Sequence, residues 1–380
     1  LLSTKEIPAP AAVPKAATPN GAYTLGYLPA LDGLRGISVF LILGYHDIGR
    51  YTSAFSHYLN GWFSVDLFFL VSGYLITSIL LKEEKKNSDI NLKKFYTRRW
   101  LRIAPAYYLC MAANIYWHCL GGDHHLAPFL YASLYLTNLD LAFAWNLIPL
   151  KYGISHFWTL GIEEQFYLFF PNLMRVLKKH ISTAVLAVGA TVFLWRGYLI
   201  SHGADWMRIY HGFDTRVDTL MWGALAAIIL ANPKFREPLQ KVLGNGVAQI
   251  LLLFVIYQTC LTLGHPADGT KEQQLLLWQA KMPLLHCLIS SFVMAVVLAP
   301  CALGSVLVSN PITVWLGKLS YGIYLWHPLV HSIYCGFYWT YFNSHPAESE
   351  AIQYALIFGI AAISYFLVEL PFLKLKTKFA

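Results

Sequence analysis

Long apolar runs separated by short, basic connections dominate this chain. Runs of about twenty apolar residues, the length that crosses a bilayer core as a helix, fall near 30–48, 62–81, 103–120, 156–174, 182–200, 213–231, 246–264, 282–302, 313–339 and 351–372. Ten spans are predicted. One more apolar run, Leu126 to Leu147, is interrupted by Asn138 and Asp140, and the placement of lysine and arginine decides how it is read. With ten crossings and the N-terminus inside, nineteen basic residues fall in inner segments and five in outer ones, the bias expected of cytoplasmic loops. A full crossing at 126–147 would reverse every later loop and spoil that bias. The run is therefore expected to be a re-entrant or interfacial segment on the outer side. The predicted fold is all-α: a polytopic membrane protein of about ten transmembrane helices plus this segment. Residues 29–375 form one transmembrane domain, with a flexible cytoplasmic tail at 1–28 and a short cytoplasmic end at 376–380.

Composition sharpens this reading. The 380 residues are 57% hydrophobic and only 13% charged, where soluble domains carry about 25% charge. The net charge of +8 does not point to nucleic acid, because the basic residues sit in the connections between apolar runs. Six cysteines lie singly in or beside apolar segments without CxxC spacing, so neither a disulfide framework nor a metal site is expected. The first residues, rich in Pro, Ala and Lys, lack the continuous apolar core of a signal peptide.

Polar residues inside the apolar runs carry the functional signal, since a charged group at membrane depth is costly and normally faces a protein interior or a water-filled cavity. LDGLRGISVFLILGYHD places Arg35 and His46 on nearly the same helix face, about 16 Å apart along the axis. On the predicted topology Arg35 lies toward the cytoplasm and His46 toward the outside, so the pair marks a route across the membrane. Asp66, in GWFSVDLFF, enters the outer leaflet at the depth of His46 on the following antiparallel helix and could orient its imidazole; Asp47 is the rival orienter. The FYTRRWLR stretch presents Arg98, Arg99 and Arg102 at a cytoplasmic edge. Such a cluster suits a phosphorylated ligand through bidentate guanidinium contacts, or lipid headgroups as a topology anchor. Glu163 and Glu164 lie five to six residues into the fourth span and need partners, with Arg35, Arg196 and Arg216 as candidates. They can serve a buried ion-pair lattice or catalysis. Arg216, flanked by Asp214 and Asp218, suggests a local salt-bridge unit, and His327 before Pro328 reads foremost as a hydrogen-bonded core histidine.

These segments, taken in order, resemble the membrane-bound acyltransferase family 3, the multi-span O-acyltransferases of cell-surface glycans, lipids and secreted small molecules. The marks are LDGLRGISVFLILGYH, GWFSVDLFFLVSGYLI, FYTRRWLRIAPAYY, HFWTLGIEEQFYLFFP, RVDTLMWG and LSYGIYLWHP. The resemblance implies that His46 and Arg35 are the essential pair, that Arg98, Arg99 and Arg102 serve an acyl-coenzyme A donor, with acetyl-CoA the expected form, and that the core has ten helices. The partners it implies are that donor, a carbohydrate or lipid-linked acceptor and the lipids of a bacterial cytoplasmic membrane. Some members of the family continue into a secreted hydrolase-like domain. This sequence stops about one turn after its last span, so transfer is expected to finish within the membrane core or to depend on a separate protein. His46 would act as general base on the acceptor hydroxyl, and a covalent acyl-His46 intermediate is the alternative course. The rival from another class is a proton-coupled transporter using the buried His, Glu and Arg groups. No internal repeat supports it.

Overall fold

The computed structural model describes residues 28–47, 61–122, 124–145, 153–263, 271–300 and 302–376. The tail expected at 1–28 falls outside them except for Leu28, as does the expected C-terminal end except for the backbone of Lys376. All regular structure among the described residues is helical. In chain order the helices are α1 (Pro29–Asp47), α2 (Ser64–Asn87), α3 (Leu92–Leu120), α4 (Ala127–Ser133), α5 (Thr137–Phe143) and α6 (Trp158–Leu177). There follow α7 (Ile181–Ser201), α8 (Trp206–His211), α9 (Phe213–Ala231), α10 (Pro233–Leu243), α11 (Gly246–Leu263) and α12 (Lys271–Leu298). The chain ends with α13 (Leu303–Val308), α14 (Pro311–Ser344), α15 (Pro346–Ser364), a π turn (Tyr365–Glu369) and α16 (Leu370–Lys376).

The long helices among these occupy the ten predicted segments. Five stretches of the described chain are long and apolar enough by themselves to cross a membrane: Gly61–Asn87, Ser155–Ser201, Gly246–Leu263, Leu275–Leu298 and Pro346–Leu375. The predicted spans outside that set include those with charge along their length, such as Asp32 and Arg35 on α1, Arg99 and Arg102 on α3, and Asp214, Arg216 and Asp218 on α9. The run from Leu126 to Leu147 makes two seven-residue helices, α4 and α5, each too short to span a bilayer. Tyr135, at φ +58°, breaks the run between them. Asn138 explains the docking of α5. Its side chain is buried and exchanges two amide hydrogen bonds with Gln165 of α6, at 3.1 and 2.9 Å.

Two glycine-mediated crossings set the frame. A Cβ at Gly73 of α2 would collide with the Leu220 carbonyl of α9, and one at Gly223 of α9 would collide with the Leu70 carbonyl of α2. Helix backbones in contact through small residues are a membrane-protein packing mode. The second crossing joins α1 to α14, where a Cβ at Gly36 would strike the Thr313 carbonyl and one at Gly317 the Asp32 carbonyl. Both motif-bearing helices, α1 and α2, are thus held at fixed depth against a partner. At the turn between α2 and α3, Arg175 reaches from α6 to clamp Asp89 with two hydrogen bonds of 3.0 and 2.9 Å. That guanidinium holds the Asp89 carboxyl below the usual carboxylate range.

Candidate active site

A cavity of about 330 Å³ runs between α1, α2, α3, α6 and α14. At one end its wall carries Asp32, Arg35, Arg99 and Arg102; Glu163 also lines it. Its flank is apolar, formed by Phe68, Leu75, Ile76 and Ile79 of α2 with Ile103 of α3. Ile42, Thr159 and Tyr324 are also in its wall. Ile42 stands one turn before His46 on α1, so His46 lies about 6 Å along the axis beyond the wall.

The arginines define the polar part. Arg99 and Arg102 are three apart on α3 and so share a face. The Arg99 guanidinium lies 3.8 Å from the centre of the Tyr167 ring, and its Nε is buried without a hydrogen-bond partner. Arg35 approaches Phe68 at 5.2 Å. Arg102 feels the like charges of Arg35 and Arg99 and the opposite charge of Asp32. Among the described residues none of the three forms an ion pair within 4 Å. Glu163 turns a buried Oε1 with no partner, and Glu164, whose Oε1 is likewise buried and unpartnered, adds its field to Arg99 without lining the cavity. Of the partners considered from sequence, Arg196 and Arg216 pair with Asp218 and Asp66 and Arg35 shares the cavity wall with Glu163, while Arg99 lies in the field of both glutamates.

Arg98 departs from the expected trio. It points away from the cavity and pairs with Glu83 of α2 at 2.9 Å. The two faces of α3 explain this: residues 99 and 102 project into the bundle, while residue 98 projects toward the end of α2.

Asp66 departs further from its expected role as orienter of His46. It is fully buried, and its Oδ1 accepts from Arg216 at 2.9 Å, from His286 Nε2 at 3.0 Å and from Thr219 at 3.4 Å. Its Oδ2 has no partner. The carboxylate faces α9 and α12, so it is committed to a charge cluster apart from His46. The local salt-bridge unit expected around Arg216 also resolves differently. Residues two apart on a helix point to different sides. Asp214 pairs with Arg208, Asp218 pairs with Arg196 at 2.8 Å, and Arg216 crosses to Asp66.

Around His46 the structure gathers aromatic rings. His46 is exposed at the end of α1, its ring centre 5.7 Å from Tyr45 and 5.4 Å from His327. His327 is buried, and its ring is 5.2 Å from that of His156. Tyr324 links this cluster to the cavity, because its hydroxyl bonds the Thr159 hydroxyl at 2.6 Å and donates to the His156 carbonyl. The side chain of Asp47, the rival orienter, lies outside the described residues.

Sequence reasoning did not single out Asp32, Thr159 or His286. His286, in the run LLHCLISSF, was detectable as a lone histidine in an apolar span. Asp32 was visible three residues before Arg35. Thr159 carried no signal, since a threonine in a helix is unremarkable until its partner is known.

The fold and cavity define a helical protein of membrane type with an arginine-walled chamber inside its bundle. The chain belongs to the membrane-bound acyltransferase family 3: the family model described as Acyltransferase domain matches residues 28–370. It is 29% identical over 372 residues to the peptidoglycan O-acetyltransferase OatA of Listeria monocytogenes, covering 93% of this chain and 57% of that protein. It is 27% identical over 388 residues to the O-acetyltransferase OatA of Staphylococcus aureus strain NCTC 8325, covering 93% and 58%. The chain thus spans less than two thirds of the length of these relatives. No solved structure matches it.

Proposed function

We propose that the protein is an integral membrane O-acyltransferase that moves an acyl group, acetyl in the first instance, from cytoplasmic acyl-coenzyme A to a hydroxyl of an envelope glycan. The observation that carries this reading is the set of three arginines without ion pairs, Arg35, Arg99 and Arg102, facing one cavity with an apolar flank. Mutual repulsion among guanidinium groups is relieved by an anionic guest, and their planar forks match phosphate. The coenzyme phosphates bind there, and the pantetheine arm lies along the apolar flank with its thioester toward Tyr324 and Thr159. His46, beyond that end, takes the proton of the acceptor hydroxyl as it attacks the thioester carbonyl. The family membership and the names of the relatives support O-acetylation of a cell-envelope polymer.

Coenzyme A titrated against the purified protein tests the donor site. Loss of a charge-assisted bond costs about 1.5–3 kcal/mol, so Arg99→Ala or Arg102→Ala weakens coenzyme A binding by roughly 10- to 150-fold. Lysine at either position restores only part of the loss, because a point charge replaces the fork. Arg98→Ala, which removes the Glu83 pair, leaves donor affinity unchanged. Unaltered affinity in both cavity variants would move the donor site elsewhere.

The reading includes ten crossings in a bacterial cytoplasmic membrane, with both termini cytoplasmic and α4–α5 outside. Single cysteines at exposed Lys86 and exposed His202, in a background with all six native cysteines replaced by serine, are expected to label from opposite sides of the membrane. Labelling of both from one side would overturn that topology.

A further inference from the structure

A second concavity lies on the outside of the bundle and shares no lining residue with the arginine chamber. It is an open groove of about 480 Å³, walled by Val185, Leu186 and Phe193 of α7, Met221 and Leu225 of α9, and Pro283 of α12. Asp218 is the one ionisable residue in its described lining, and Arg196 already holds that carboxylate at 2.8 Å. The floor is low because Gly189 and Ala190 put almost no side chain into it; a Cβ at Gly189 would meet nothing within 4 Å. Leu186 and Leu194 at its rim are exposed, so the groove opens away from the core. Both α7 and α12 belong to stretches long and apolar enough to cross a membrane. What faces such a groove at membrane depth is hydrocarbon.

One end of the groove carries positive charge. The Arg196–Asp218 pair, with Trp195 donating to Asp214 at 2.6 Å, sets late α7 beside early α9. The two helices therefore run antiparallel, and the start of α7 comes level with the end of α9. Beyond that level the turn Lys178–His180 exposes Lys179, and α10 exposes Lys234. Lys179 is six residues before Val185 and Lys234 nine after Leu225, so each stands about 9–14 Å past the groove along the helix axes. Among the described residues neither lysine forms an ion pair within 4 Å. The helix that bears Lys234 is amphipathic, with Phe235, Leu239 and Val242 on one side, Lys234, Glu237 and Lys241 on the other, and no residue buried. A helix so divided lies in the plane of a membrane interface, which sets its lysines at headgroup level. We infer that the groove and these lysines form one site for an anionic phospholipid, with a chain along the groove and the phosphate between Lys179 and Lys234. Basic pockets beside membrane helices hold acidic headgroups in this way. A soluble phosphate would satisfy the lysines and leave the groove unfilled, so the pairing of the two features selects a lipid. The inference rests on the membrane placement of the helices and is independent of the acyl-transfer reading.

Native mass spectrometry of the full chain in mild detergent tests the site, with phosphatidylglycerol or phosphatidylcholine of the same acyl chains added in turn. The parent is expected to retain phosphatidylglycerol in preference to phosphatidylcholine, and an excess of inorganic phosphate is not expected to displace it. Gly189→Leu fills the groove from a position with open space around it. It is expected to abolish the retained lipid while the thermal midpoint in detergent stays at the parent's or above, because leucine is the better helix former. The double variant Lys179→Gln with Lys234→Gln changes only exposed side chains and reads the charge separately from the groove. It is expected to weaken phosphatidylglycerol binding by roughly 25-fold, about five-fold for each lysine near a membrane surface, and to erase the preference over phosphatidylcholine. Arg99→Ala, in the chamber, is expected to leave lipid retention unchanged. Equal retention of the two lipids by the parent would overturn the inference, as would parental retention in either the groove or the lysine variant. Loss of the lipid in Arg99→Ala would overturn it as well, by moving the lipid into the arginine chamber.

Discussion

His46→Ala is expected to lower acyl transfer by about 10²- to 10⁴-fold, the range that a positioned general base contributes, with donor affinity and folding intact. The side chain is exposed at the end of α1, beside the rings of Tyr45 and His327, so its removal opens no buried cavity. The arginines proposed to hold the coenzyme sit at the other end of the chamber, and Arg35 is about 16 Å away along the same helix. Binding and chemistry therefore separate in the experiment. Coenzyme A titration reports the first, and release of labelled acetate to the acceptor reports the second. Transfer near the wild-type rate would remove His46 from the mechanism, whether as base or as the site of a covalent acyl group.

Asp66→Ala is expected to act on the fold. Removing one partner of a buried ion pair leaves the other charge uncompensated and costs about 3–5 kcal/mol. Here the stranded group is Arg216, which is fully buried, pairs with Asp66 as its one carboxylate among the described residues, and lies beside the rings of Tyr210, Trp278 and Phe69. His286 loses its acceptor in the same stroke. The thermal midpoint of the purified protein should fall steeply. The double change Asp66→Leu with Arg216→Met, which removes both charges at similar volume, should recover most of the loss, since buried pairs replaced by apolar residues are often neutral or better. A single variant that stays as stable as the parent and loses only turnover would return Asp66 to the role of orienter.

How much the sequence disclosed depended on which neighbour a residue needed. Helix positions followed from apolar runs alone, because the length of a bilayer crossing is a property of the chain itself. Arg35 and Glu163 were visible as charges at depth, and Arg99 and Arg102 as a cluster at the predicted membrane edge; the structure brings all of them to one cavity. Asp66 was visible for the first reason and Arg98 for the second, and the structure pairs them with Arg216 and Glu83, which the sequence did not indicate. Depth along a helix can be counted from sequence, whereas rotation about its axis and the identity of the facing helix cannot. Asp66 was expected at the depth of His46 yet turns toward α9 and α12, and Arg98 is one residue from Arg99 yet looks toward α2. The reciprocal contact of Gly73 with α9 and Gly223 with α2 joins positions 150 apart in the chain and emerges only when the two helices are set together.

The joint between α5 and α6 has a different consequence. Asn138 and Gln165 fasten these helices by exchanging neutral amides, each group both giving and taking a hydrogen bond. A clasp of this kind has nothing to titrate and no charge for ions to shield. Acidification of the surroundings or a change in salt, which would loosen a carboxylate–guanidinium tie at the same place, leaves it closed. Its vulnerability is of another sort: each amide supplies both the donor and the acceptor that the other meets, so replacing one alone strands the buried group left behind. Replacing both amides together by apolar groups of the same shape costs far less than replacing one.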